Sequence, residues 1–100
     1  MIMEFRAFIQ VPGLPYENEP AHEGLFDVLR RDFGHLGPVM SWTSRGDATV
    51  VVLATDAEDE SEAAAEMIAA VSMSLHRSDL GNLYPAAIEI EVVDEELTPA

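Results

Sequence analysis

Cysteine is absent from this 100-residue chain, which excludes disulfide staples, thiolate nucleophiles and sulfur-rich metal sites and argues against a small secreted, disulfide-stapled domain. Lysine is absent as well, so the basic residues are Arg6, Arg30, Arg31, Arg45 and Arg77 alone, set against 19 acidic residues for a formal net charge of −14. Binding to nucleic acid or to anionic lipid depends on cations that displace phosphate counterions, and this balance opposes both. No window approaches the roughly 20 consecutive apolar residues of a membrane span, and no basic start leads into an apolar stretch. A soluble, cytoplasmic protein is therefore expected. Catalytic signatures are missing too. His22, His35 and His76 include no pair at the i, i+4 spacing of a metal site, and nothing marks a nucleophile or a cofactor loop. The expectation is no catalytic residue, no metal and no cofactor.

What is present is a folded composition. Apolar residues make up 48% of the chain, enough to outweigh the disordering effect of the charge, and the length suits one core. A single domain is expected over 1–94, with an acidic tail at 95–100. The hydrophobic period changes in a definite order along the domain. Residues 3–11 alternate, with Met3, Phe5, Ala7, Ile9 and Val11 on one face, which predicts a half-buried strand. After the break at Pro12-Gly13-Leu14-Pro15, Pro20 suits the first turn of a helix whose stripe is Leu25, Val28, Leu29 and Phe33, with Gly34 at its C-terminal cap.

Residues 39–44 and 47–55 are rich in β-branched side chains and flank Arg45-Gly46, the mark of a hairpin in which Trp42 faces Thr49, Ser41 faces Val50, Met40 faces Val51 and Val39 faces Val52. A four-residue loop that includes Ser44 and Asp47 is the alternative to a two-residue turn. Arg45-Gly46-Asp47 also spells an adhesion tripeptide, read here as turn chemistry, with Gly46 supplying the special φ. Asp56 is the expected N-cap of a second helix with acidic residues in its first turns and His76 and Arg77 at its end, both favourable to the macrodipole. Its stripe is Ala64, Met67, Ile68, Val71 and Leu75, and it ends at Leu80-Gly81. Tyr84 is expected to cap the core ahead of a last alternating strand, 86–93. The order βαββαβ over residues 3–93 resembles the ferredoxin-like α+β fold. That resemblance implies a four-stranded antiparallel sheet ordered 4-1-3-2 with both helices on one face; it carries no functional residue with it.

A sheet with helices on one side leaves the other side to be explained. The third strand is apolar on both faces, and if Val50 and Val52 point to the helices then Phe8, Met40, Trp42, Val51 and Leu53 cluster on the open face as an interface. This predicts a non-enzymatic protein–protein interaction module, either a homodimer or a regulatory or inhibitory subunit bound to another protein; a basic partner is compatible with the charge. Glu58, Asp59, Glu62, Glu66, Glu89 and Glu91 form the expected acidic surface, which would steer such a partner. Two alternatives stand beside this reading. One is a nucleic-acid mimic occupying a DNA-binding protein. The other is a small dimeric α+β-barrel enzyme or ligand-binding protein, since the chain is similar in size and strand order to dimeric monooxygenases of this fold; the Asn, Trp and His constellation of the haem-degrading ones is not recognisable here, with Asn18 and Asn82 in loops and Trp42 on the second strand. The acidity also has a bland source in a salt-adapted or GC-rich proteome. His22 and His35 are expected in solvent.

Overall fold

A computed structural model describes residues 2–14 and 17–93 of the chain; the predicted acidic tail lies outside them. The elements are β1 (Met3–Pro12), α1 (Glu19–Phe33), a short 3₁₀ turn (Gly34–Leu36), β2 (Val39–Trp42), β3 (Ala48–Ala57), α2 (Glu60–Arg77) and β4 (Ala87–Val93). The four strands form one antiparallel sheet in the order β2-β3-β1-β4. This is the ferredoxin-like topology that the alternation of periods predicts.

Register fixes which residues share a face, because side chains directly opposite one another in an antiparallel ladder point the same way. On the helix side, β1 contributes Phe5, Ala7, Ile9 and Val11, which pair on β3 with Thr55, Leu53, Val51 and Thr49. Together with Leu25 and Leu29 of α1 and Ala63, Met67, Ala70, Val71 and Leu75 of α2, the apolar members of these pairs make the core. The seam of α2 is turned from the predicted one. Ala63, Ala70 and Ser74 are buried, whereas Ala64 and Ile68 are only half-buried. Small side chains on the inner line let the helix backbone approach the sheet closely.

Three boundaries differ from expectation, each for a local reason, and so does the burial of Tyr84. The cap of α2 is Asp59, whose Oδ1 accepts the Glu62 N–H at 2.8 Å; Asp56 remains in β3, paired with Glu4. Gly34 is right-handed (φ −58°), so α1 tightens into the 3₁₀ turn, and the left-handed residue is Gly37 (φ 60°). At the end of α2, Leu80 N–H bonds the Leu75 carbonyl at 2.8 Å and Asp79 N–H bonds His76. That is a Schellman closure with Asp79, at φ 62°, in the left-handed position. Tyr84 does not cap the core; it is 67% exposed.

The hairpin has the predicted pairs, closed by a four-residue loop. Thr43 N–H bonds the Ala48 carbonyl at 3.0 Å, Gly46 N–H bonds the Thr43 carbonyl at 2.8 Å, and the Thr43 hydroxyl donates to Asp47 at 2.8 Å. Gly46 takes φ 71°, which a Cβ would strain.

Candidate functional site

The open face of the sheet resolves into rows running across the strands. One row is Val39, Val52, Phe8 and Glu89; the next is Ser41, Val50, Gln10 and Ala87. On the other side of the first row stand Ala54, Arg6 and Glu91, and then Asp56, Glu4 and Val93. The face therefore grades from apolar near the hairpin to charged at its far end. Val39 is 56% exposed, and Phe8, Val50 and Val52 are half-buried. A recess of about 390 Å³, lined in part by Phe8, Gln10, Val50 and Glu89, lies at the hairpin end of this face beneath Thr43 and Ser44. Arg6 reaches Glu91 at 3.4 Å, and Glu4, Asp56 and Glu89 on the same side are in no ion pair among the described residues.

The predicted interface set is divided by this register. Phe8 lies on the open face, but Val51 and Leu53 are fully buried under the helices, and Met40 and Trp42 share their side of the sheet through the pairs Met40–Val51 and Trp42–Thr49. The open-face strip is instead Phe8 with Val39, Val50 and Val52. The parity of β3 decides it: Asp56 is in the strand, its charge belongs outside, and residues 50, 52 and 54 share its face.

The acidic residues also occupy two separate places. Glu58, Asp59 and Glu62 surround the start of α2, with Glu66 one turn on, where its carboxylate accepts the Thr55 hydroxyl at 2.5 Å. Glu89 and Glu91 stand on the open sheet face.

The helix layer holds a polar arrangement that the sequence conceals. His22 Nε2 lies 2.7 Å from the hydroxyl of Thr49, a fully buried residue, and that hydroxyl donates to the Leu14 carbonyl, also at 2.7 Å. A carbonyl cannot donate, so the single Thr49 proton is committed to Leu14 and His22 Nε2–H must be the donor to Thr49. His22 is thus half-buried and oriented, not in solvent as expected; His35 is exposed, beside Phe33. Among the described residues no group of three His, Asp or Glu side chains is placed to hold a metal ion.

A second polar cluster joins the two helices. Asp32 accepts both Arg31 Nε at 3.0 Å and Arg31 Nη2 at 3.1 Å, and Arg77 Nη1 from α2 at 2.9 Å. The hydrogen bonds from Arg31, and then from Arg77, lower the Asp32 carboxyl to about 2, and the same carboxylate holds the Arg31 guanidinium more firmly charged. A native value below the unfolded one, ~3.9 for an aspartate, means stability that is complete above that unfolded value and lost as pH falls through the native one. The stability difference between wild type and Asp32→Asn is accordingly expected to be constant near neutral pH and to shrink as pH drops from about 4 to about 2. Urea unfolding at several pH values reads it, and a difference independent of pH over that window would refute the assignment.

No helix among the described residues is long and apolar enough to cross a membrane. Comparison with protein-family models, with curated proteins and with solved structures gives no match. The fold is an α+β domain of ferredoxin-like topology in which, among the described residues, no helix lies on the second face of the sheet.

Proposed function

We propose that the protein is a small interaction module that uses its open sheet face to bind a different protein, one presenting an apolar centre with a basic margin. The observation that supports this is the graded composition of the face: the Val39, Val52, Phe8 and Val50 strip beside Glu89, Glu4 and Asp56, with Arg6 already engaged by Glu91. An apolar centre with a charged border is the anatomy of a protein contact surface. Charge selects the class of partner. Stacking two copies face to face would double four carboxylates while adding one guanidinium, a like-charge arrangement that opposes self-association. A partner bearing Arg or Lys around an aliphatic side chain removes that repulsion, and the net charge of −14 speeds its approach.

A peptide of alternating Lys and Leu is the direct probe, with an alternating Glu and Leu peptide as control. The basic peptide is expected to broaden or shift amide resonances of Phe8, Val50 and Val52, to weaken as salt rises, and to lose its effect in a Phe8→Ser, Val52→Ser double variant. Perturbation confined to the helix side, or equal binding of the acidic peptide, would remove the proposal. Sedimentation of a dimer that the same double variant abolishes would assign the face to self-association instead.

A further inference from the structure

At the β2 edge of the sheet, α1 and β2 border an open cleft of about 320 Å³ lined by His22, Glu23, Phe26, Pro38, Val39 and Met40, of which Val39 also belongs to the open-face strip. We propose that it is a binding site for a small apolar amine, an arylalkylammonium in chemical class. The ligand's hydrocarbon body lies against Phe26, Pro38 and Met40, and its ammonium group lies toward His22 and Glu23. This inference rests on the helix-side residues and shares only Val39 with the sheet-face reading.

Size and polarity carry the assignment. The volume is at the lower end of small-molecule sites, enough for one ring and a short chain, and four of the six lining residues are apolar. The polar pair is specific in sign. With Nε2–H committed to Thr49, and through it to Leu14, Nδ1 is the position left for an acceptor on the imidazole, and it makes no hydrogen bond among the described residues. Glu23 is an exposed carboxylate in no ion pair among the described residues. Two acceptors and no donor select a ligand head rich in donors, and an ammonium supplies three. The charge of −14 concentrates cations and repels carboxylates. Phe26 is not the ammonium's partner, because the Arg30 guanidinium already stands 5.0 Å from its ring centroid. The buried Thr49 hydroxyl holds the imidazole in one tautomer before any ligand arrives, so little ordering accompanies binding.

The test is a titration of protein labelled with ¹⁵N-histidine and ¹³C-methyl methionine by 2-phenylethylamine, with 2-phenylethanol and 3-phenylpropionate in parallel. The amine is expected to shift His22 Nδ1 and the Met40 methyl saturably, with Kd of about 1–10 mM for so small a ligand. The alcohol should bind more weakly and the carboxylate weakest of the three. Glu23→Gln, a surface change on α1 that leaves the fold intact, should weaken the amine about threefold while leaving the alcohol unchanged. No saturation by the amine up to about 20 mM, carboxylate binding as tight as the amine's, or an amine affinity indifferent to Glu23→Gln would each overturn the proposal.

Discussion

Leu53→Ala is expected to destabilise the fold by about 3 kcal/mol, while Val52→Ala, one residue away, costs no more than about 1 kcal/mol. The contrast follows from parity alone. Leu53 is fully buried and belongs to the same cluster as Met67 and Val71, whereas Val52 is half-buried on the face without helices. Truncating Leu53 removes its transfer free energy and leaves a cavity, and the cost depends on how far the surroundings can collapse. Collapse is limited here because the directly opposed residue on β1 is Ala7, too short to fill the space. In a domain of this size, whose whole stability is about 5–15 kcal/mol, the loss lowers the melting temperature on the order of 15 °C. Urea denaturation of both variants decides the orientation of the strand. A larger loss for Val52→Ala would mean that β3 is turned over and that Val51 and Leu53 face outward.

That comparison also marks the boundary of what the sequence tells. Element order is legible because period 2 and period 3.6 are imposed by backbone geometry, and the hairpin pairs are legible because Arg45-Gly46 centres the turn whether its loop has two residues or four. The face of β3 is not legible from its own residues, since Val50 and Val52 are as apolar as Val51. One marker carries the answer: Asp56 shares parity with Val50 and Val52, and a charge at a strand end turns outward. Reading Asp56 as a helix cap takes it out of the strand and discards the marker. Asp59 is an equally good cap by residue type, and only the two additional strand pairs, Glu4–Asp56 and Met3–Ala57, choose between them. The capping of α2 is similar. Asp79 adopts the left-handed position that Gly81 fits better by type, because the closing hydrogen bonds to Leu75 and His76 fall two residues earlier than Gly81 would place them.

The polar core is less legible still. Thr49 reads as an ordinary β-branched strand residue and His22 as a surface residue of a helix start, and their partnership spans 27 positions in sequence with a second link of 35 to Leu14. Periodicity reports which way a side chain points; it carries no information on which distant donor meets which acceptor. The open face and the helix-side cleft therefore differ in how they could be found. The open face follows from strand parity, while the cleft depends on a hydrogen-bond relay that only tertiary contact creates.

Thr49→Val is expected to cost about 2–3 kcal/mol although it conserves shape, because it leaves two groups without partners at once. The Leu14 carbonyl belongs to a residue 1% exposed, and the bond it accepts from Thr49 is itself buried, so its desolvation is uncompensated once the hydroxyl is gone. The His22 Nε2–H suffers less, since the ring is half-buried and can turn to water. Loss of this hydroxyl also loosens the chain after β1. Gly13 takes φ 84°, and its backbone passes so close to Leu83 that an added Cβ would stand 3.1 Å from Cδ2. That tight turn is held by the bond at the next residue, Leu14, which ties it to β3, while His22 ties the start of α1 to the same hydroxyl. Faster amide exchange in the first turns of α1 should therefore accompany the loss of stability, together with a mixed His22 tautomer in place of Nε2–H alone. Thr49→Ser keeps the hydroxyl and removes one methyl, so it should lose about 1 kcal/mol and preserve the tautomer. A double-mutant cycle with His22→Ala separates the two links, because the part of the Thr49→Val cost that persists without the imidazole belongs to Leu14. If Thr49→Val and Thr49→Ser proved equally stable with unchanged tautomers, the hydroxyl would not be the joint between β3, α1 and the loop that connects β1 to α1.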